Sequence, residues 1–152
     1  MSVFIGEVTT KKIPVALILI LPLLIFGCQQ KWYFAITNVS DPSHPHFCIS
    51  SFRNCSGDGV RLDILRVSEI DSNGDEKRTM WAIELIEDSK INKFKYGTAP
   101  AGYKELMPAI PLETGKFYRT ARWYYFKLTQ HGENIVPEIF NHEEFSKRQR
   151  AE

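Results

Sequence analysis

The sequence predicts an all-β fold, a β-sandwich of seven or eight antiparallel strands. Short segments rich in aromatic and β-branched residues alternate apolar and polar side chains, as a half-buried strand does. Turn-forming residues separate these segments at intervals of about ten residues, which is typical of sandwiches. No segment shows a convincing amphipathic helical pattern.

Eight segments carry the strand pattern. In the clearest of them, Leu62, Ile64 and Arg66 fall on one face. Leu65 and Val67 fall on the other face, so both sides of this strand can be assigned. The predicted strands are residues 32–39, 46–51, 61–70, 79–87, 92–96, 106–110, 118–129 and 135–140.

Turn chemistry supports the strand boundaries. Asn73-Gly74 is a strong hairpin signal, because these two residues tolerate the positive φ angles of a tight turn. Residues 130–134 predict a second turn before the last strand. Pro137 cannot donate a ladder hydrogen bond, so that last strand is expected at a sheet edge.

The long aromatic segment 118–129 raises a packing problem. If Tyr118 points inward, strand alternation also turns Arg122 inward, where a charged side chain makes a poor core. A bulge over residues 119–121 would instead turn Trp123 and Tyr125 inward.

The motif Leu112-x-x-Gly115-x-x-Tyr118 precedes that segment. It resembles the corner between strands E and F of immunoglobulin and fibronectin type III domains. The resemblance implies that the Tyr118 hydroxyl bonds to backbone upstream and that Gly115 supplies an unusual dihedral angle. The predicted fold class is therefore an immunoglobulin/fibronectin III-like sandwich, with Leu112, Gly115 and Tyr118 forming a structural corner.

Charge argues against one class of partner. The chain has 19 basic and 18 acidic residues, of which Lys11, Lys12 and Glu7 lie within residues 1–27. The remainder is neutral and has no basic excess of the kind that binds nucleic acid, so we expect no nucleic-acid partner.

The N-terminal segment has the layout of a sorting signal. Lys11 and Lys12 precede an apolar run over residues 13–26, which leads into Leu24-Ile25-Phe26-Gly27-Cys28. As a helix the run spans about 21 Å, short of the roughly 30 Å hydrocarbon core of a bilayer. The layout resembles a bacterial lipoprotein signal peptide. An uncleaved membrane anchor and a buried core helix are the alternatives.

The resemblance implies cleavage between Gly27 and Cys28, diacylation of the Cys28 thiol and acylation of the new amino terminus. Bacterial sorting disfavours the outer membrane chiefly when aspartate follows the cysteine, and here Gln29 follows it. The implied location is the outer membrane of a Gram-negative bacterium, facing the periplasm. The predicted organisation is a signal peptide (1–27), a lipidated tether (28–31), a β-sandwich domain (32–141) and a fraying polar tail (142–152).

Cys48 and Cys55 are the two remaining cysteines. In a chain that leaves the cytosol they are expected to form a disulfide, because the periplasm is oxidising. Such a bond would close a short loop and contribute about 2–3 kcal/mol. Two free thiols or a metal site are the alternatives.

The sequence contains no recognisable catalytic constellation. His44 and His46 are the best metal candidates, but Cys48 has a nearby disulfide partner and no acidic third ligand is evident. Asp71-x-Asn73-x-Asp75 resembles the start of a calcium loop without the glutamate required at position 12, where Ala82 stands. Nucleophile-elbow, zinc-protease, P-loop and dinucleotide motifs are absent. We expect no catalytic residue, metal, cofactor or small-molecule substrate.

Tyr96 and Tyr103 flank a loop rich in glycine and proline. Aromatic residues on such loops are natural anchors for a protein partner. They also pack well across the end of a sandwich, and the sequence leaves both alternatives open.

Over residues 28–128 the chain resembles the type VI secretion immunity lipoproteins of the Gram-negative periplasm. The residues that carry this likeness are Phe47-Cys48-Ile49-Ser50, Trp81-Ala82-Ile83-Glu84, Tyr96-Gly97-x-x-Pro100-x-Gly102 and Ala109-x-x-Leu112-x-x-Gly115-x-x-Tyr118. The resemblance implies a non-catalytic protein that is held at the membrane by its lipid anchor and binds a toxin from a neighbouring cell. The alternative is a structural envelope lipoprotein with an immunoglobulin-like domain, acting in assembly or adhesion.

Overall fold

The computed structural model describes residues 31–120 and 124–149. In these ranges the chain forms nine β-strands followed by one α-helix. The predicted signal peptide lies outside the described residues, as do Gly27 and Cys28. The elements are β1 (Tyr33–Asn38), β2 (His46–Ser50), β3 (Ile64–Ile70), β4 (Glu76–Leu85), β5 (Lys93–Lys95), β6 (Tyr103–Met107), β7 (Phe117–Thr120), β8 (Tyr124–His131), β9 (Asn134–Phe140) and α1 (His142–Gln149).

The nine described strands form two antiparallel sheets. The smaller sheet has the order β1-β2-β5 and the larger sheet has the order β6-β4-β3-β7-β8-β9. One hydrophobic core contains side chains from both sheets, which confirms the predicted all-β sandwich. β9, which contains Pro137, is an edge strand as predicted.

Aromatic rings join the two sheets at the centre of the core. The ring centroids of Phe47 on β2 and Phe126 on β8 lie 5.5 Å apart in an edge-to-face arrangement. Trp81 on β4 stacks against Phe94 on β5 at 6.2 Å. Phe47, Trp81 and Phe126 are fully buried, so these contacts fix the spacing of the sheets.

The β3–β4 hairpin forms where Asn73-Gly74 predicted it. Gly74 has a φ of 85°, which glycine adopts without steric cost. The Asp71 carboxylate accepts hydrogen bonds from the backbone N–H groups of Asn73, at 2.8 Å, and Asp75, at 2.9 Å. The acidic residues of this loop thus serve the turn itself.

The prediction of a single strand over residues 118–129 is wrong, because this segment contributes to two strands. β7 and β8 pair antiparallel, with Tyr118 opposite Phe126 and Thr120 opposite Tyr124. This pairing shows that the chain reverses direction between Thr120 and Tyr124. The β7–β8 register is regular, so the described part shows no bulge there. Trp123 lies outside the described residues.

The prediction of a fraying polar tail after residue 141 is also wrong, because residues 142–149 form α1. Asn141 caps this helix: its side chain accepts a hydrogen bond from the Glu144 N–H, and the Glu144 carboxylate accepts one from the Asn141 N–H, both at 2.9 Å. Phe145 is only 3 % exposed and stacks on Tyr125 at 4.3 Å. No described helix is both long and apolar enough to cross a membrane.

The predicted corner forms at the start of β7. The Tyr118 hydroxyl accepts a hydrogen bond from the Glu113 N–H at 2.8 Å and donates one to the Glu113 carbonyl oxygen at 3.2 Å. Gly115 has a φ of 82°, and the Leu112 side chain is buried in the core. The hydroxyl therefore fixes the loop that brings the chain into the larger sheet.

Replacing this hydroxyl tests the corner. Tyr118→Phe removes both bonds to Glu113 and keeps the buried ring, so we expect a loss of about 1–2 kcal/mol in the free energy of unfolding. Denaturant titration followed by circular dichroism measures it. Tyr33→Phe is the control, because the Tyr33 ring is only partly buried. Equal stability of the two variants would contradict a stabilising corner.

Candidate binding face

The outer surface of the six-stranded sheet is divided into two parts. α1 covers the part formed by β7, β8 and β9, where Phe145 packs with Phe117, Tyr125 and Phe140. No described element is packed over the part formed by β3, β4 and β6, which we call the open face. The strand register places residues opposite one another across β3, β4 and β6. One such row contains Ile64, Glu84 and Lys104, and the next contains Arg66, Ala82 and Met107.

The open face combines apolar and charged side chains. Ile64 is 52 % exposed and Met107 is 42 % exposed, although both lie on strands. Leu106 beside them is exposed as well. Exposed apolar side chains interspersed with charged ones on a rigid sheet make the open face a candidate site for a protein partner.

A groove of about 480 Å³ borders the open face near β7. It extends from the segment that leads into β3 along the outer side of β3 to the start of β4. Three arginines and two carboxylates give the groove its charge, and one exposed aliphatic side chain lies among them. These residues are Arg61, Arg66, Arg119, Asp63, Glu76 and Ile64.

Two of the three arginines have carboxylate partners. Arg119 contacts Glu76 at 3.2 Å, and Arg61 is paired with Asp88 and lies 3.8 Å from Asp63. Arg66 makes no ion pair within 4 Å in the described ranges. Its guanidinium is exposed on the open face and can donate to a carboxylate of another molecule.

Glu76 is ionised in this groove. Burial raises the pKa of the Glu76 carboxyl, but hydrogen bonds from Thr79 and Ser68 and the charges of Arg66 and Arg119 lower it more. Its pKa therefore lies below the usual value. The groove thus carries three guanidinium charges and two carboxylate charges at neutral pH, and Arg66 is exposed.

Two of the residues that line the same groove carry buried polar atoms. The hydroxyl oxygen of Thr120, a residue that is 1 % exposed, has no hydrogen-bond partner among the described residues. The same holds for the indole nitrogen of Trp32. Both groups can donate hydrogen bonds, as the three arginines can, so the groove is rich in donors.

The side chains of the groove are suited to recognition. Within residues 31–120 and 124–149, no three His, Cys, Asp or Glu side chains lie close enough to hold a metal ion. The groove brings together guanidinium groups, ionised carboxylates and exposed aliphatic groups. These groups bind by charge-assisted hydrogen bonds and apolar contact.

A second charged cluster lies at the other end of β3. Glu69 is buried, and its carboxylate contacts Arg78 at 2.8 Å, Lys77 at 3.6 Å and Lys116 at 3.8 Å. Burial raises the pKa of Glu69, but the Arg78 hydrogen bond and the charges of the three cations lower it more, so the pKa lies below its usual value. Lys116 also contacts Glu113, at the tyrosine corner. This cluster fastens the corner loop to the β3–β4 hairpin.

The predicted site residues have different outcomes. Cys48 and Cys55 form the predicted disulfide. Tyr96 is fully buried, and its hydroxyl lies 3.0 Å from the Met80 carbonyl oxygen and 2.8 Å from that of Ile110. Tyr103 is also buried, and its hydroxyl accepts a bond from the Leu62 N–H at 3.4 Å. The structure therefore supports interior packing for both tyrosines, and neither ring offers a surface for a partner.

Comparison of the chain with protein-family models, with curated proteins and with solved structures finds no match.

The sequence prediction did not identify the arginines of the groove. The alternation of β3 did place Ile64 and Arg66 on one face, and that was the available signal. Arg119 joins them only because β7 pairs with β3, with Ser68 opposite Arg119. Because residues 118–129 were predicted as one long strand, the pairing that brings Arg119 to β3 was not predicted.

The Glu69 cluster makes stability depend on pH. A carboxyl whose pKa is lower in the folded state contributes stability above its unfolded pKa, and this contribution is lost as the pH falls through the folded pKa. Glu69→Gln should cost about 1.5–3 kcal/mol at neutral pH, the value of hydrogen bonds to a charged group. The difference in the free energy of unfolding between this variant and the unmodified protein should shrink below about pH 4.

Denaturant titrations at a series of pH values measure this difference. Glu133→Gln is the matched control, because Glu133 is exposed in the turn between β8 and β9 and makes no ion pair with a described residue. A Glu69→Gln deficit that is independent of pH would show that the carboxylate charge is not the source of the stability.

Proposed function

We propose that this chain is a non-catalytic lipoprotein of the Gram-negative envelope that binds a protein partner through the open face. The observation that carries the proposal is that Ile64, Leu106 and Met107 are all exposed on the open face, which also holds Arg66, a residue with no ion pair within the described chain. Methionine and arginine are enriched at protein interfaces, and an apolar centre with a charged rim is their usual arrangement.

The rigidity of the scaffold supports a binding role. Strands hold the open face, and the tyrosine corner, the Glu69 cluster and the Cys48–Cys55 disulfide constrain the connections between strands. A face that is ordered before the partner arrives loses little conformational entropy on binding. The groove carries charges of both signs, which favours a partner with its own pattern of acidic and basic groups over a polyanion.

The proposed partner is a protein toxin delivered into the periplasm. Two sequence features support this assignment, namely the lipobox ending at Cys28 and the likeness to type VI secretion immunity lipoproteins over residues 28–128. The chain would be anchored in the outer membrane through lipid on Cys28 and would block the toxin by covering it. It requires no cofactor, nucleic acid or small-molecule substrate for this role.

Calorimetry with the product of the neighbouring gene tests the proposal. The full chain, expressed in a Gram-negative host and extracted from membranes in detergent, should form a 1:1 complex of nanomolar strength, about −12 kcal/mol. Ile64→Asp and Arg66→Glu should each weaken it at least about 30-fold, the effect of losing roughly 2 kcal/mol at an interface centre.

Matched substitutions elsewhere on the surface are the controls. Val136→Asp changes an aliphatic side chain that is also exposed, on β9, and Lys93→Glu reverses an exposed cation on β5, in the other sheet. Both should leave the affinity unchanged. If all four variants bind alike, the open face is not the interface. If the folded chain gives no heat with an active toxin, the structural envelope role takes precedence.

A further inference from the structure

One exposed aromatic residue and two basic residues lie near Tyr33, at the end of the sandwich where the described chain begins. β1 starts at Tyr33, which pairs with Ser50 at the end of β2. Phe52 follows Ser50 and is 60 % exposed, the largest exposed fraction among the bulky apolar residues of the described chain. The Arg53 guanidinium lies 5.5 Å from the centroid of the Tyr33 ring. We call Lys31, Tyr33, Phe52 and Arg53 the aromatic end.

The local structure holds Phe52 in this exposed position. The disulfide between Cys48 and Cys55 closes the loop that carries it. Within the loop, the Phe52 N–H donates to the Ser50 hydroxyl at 3.1 Å, and the Phe52 carbonyl oxygen accepts from the Cys55 N–H at 3.2 Å. The ring lies over Gly57, where a Cβ atom would overlap it. The disulfide and these contacts hold the Phe52 side chain in solvent, so packing in the core does not explain its position.

The chain length between the aromatic end and the proposed lipid anchor is short. From Cys28 to Tyr33 there are five residue steps, which span at most about 18 Å when fully extended. With acyl chains on Cys28, Tyr33 can lie no farther than this from the bilayer surface. A membrane contact at this end rests on the lipid anchor of the proposed function, and it does not depend on the toxin.

The composition of the aromatic end matches a membrane interface. Trp and Tyr side chains concentrate at the level of the lipid headgroups, where one end of the ring is apolar and the other is hydrated. Lysine and arginine beside them can extend their charges to the lipid phosphates while their stems remain in apolar surroundings. Lys31 and Arg53 supply two such cations, and Phe52 supplies an apolar group that can enter the interface.

We propose that the aromatic end is a second membrane contact, in which Phe52 inserts at the headgroup level and Arg53 and Lys31 lie at the phosphates. The lipid on Cys28 then holds the domain at the membrane, and the aromatic end sets its orientation. The strands run away from this end, so the open face extends from the bilayer into the periplasm.

Fluorescence quenching by brominated lipid tests the contact. The full chain is reconstituted into vesicles of phosphatidylethanolamine and phosphatidylglycerol, with and without brominated phosphatidylcholine. Phe52→Trp places a reporter at the aromatic end. Val136→Trp is the matched control, because Val136 is also exposed but lies near the β8–β9 turn at the opposite end of the sandwich. Tyr33→Trp is a second reporter if Phe52→Trp does not fold.

We expect brominated lipid to remove much of the emission that the Phe52→Trp substitution adds and to leave the emission that Val136→Trp adds unchanged. Equal quenching of both reporters, or of neither, in a chain that sediments with the vesicles would overturn the proposal. If the aromatic end bound a protein instead of lipid, neither reporter would be quenched. A chain that does not sediment with vesicles would show that the lipid anchor itself is absent, which separates failure of the proposed function from failure of this contact.

Discussion

The fold depends on the burial of Phe47 at the centre of the smaller sheet. Its ring lies within 5.2 to 6.1 Å of the rings of Phe34, Phe94, Tyr96 and Phe126, which come from both layers. Because strand side chains alternate, the inward direction of Phe47 directs Cys48 to the other side. There the thiol forms the disulfide that closes the Phe52 loop. The inward direction of Phe47 in β2 therefore determines both the packing of the core and the side of the sheet on which the Phe52 loop is closed.

The difference in width between the two sheets leaves surface to be covered. Six strands present an inner face, against which the three-stranded sheet packs, and an outer face. α1 covers only the β7–β9 part of that outer face, through Phe145. The remaining strands carry Ile64 and Met107 to solvent. An apolar group on a rigid strand cannot withdraw, so its exposure is a stable property of this surface and suits a docking role.

Sequence patterns predicted the local features well. Three motifs restrict the backbone in a known way, and each lies at the turn, edge strand or corner that it predicted. They are Asn73-Gly74, Pro137 and Leu112-x-x-Gly115-x-x-Tyr118. The hairpin over 118–129 was not predicted, because both of its strands are aromatic and form one continuous pattern without a glycine or proline.

Features that depend on tertiary contacts were not predicted. α1 was missed because Phe145 is the one buried side chain among residues 142–148, too few for a helical period to be recognised. The groove beside the open face forms because β7 pairs with β3 and so brings Arg119 to it, a pairing between residues distant in sequence. The burial of Tyr96 likewise depends on the carbonyl groups of Met80 and Ile110, which only the folded chain brings together.

The proposed membrane contact and the proposed binding face constrain one another. A lipid on a flexible tether alone would let the domain rotate, and a partner would meet the open face in only some orientations. A second contact at the aromatic end removes most of that rotation before the partner arrives, and the ordering cost is then met by the membrane rather than by the complex. The two surfaces share no residue, although Trp32, which precedes Tyr33 of the aromatic end, lines the groove beside the open face. The disulfide loop therefore influences partner binding through the orientation of the domain, although it contributes no residue to the open face.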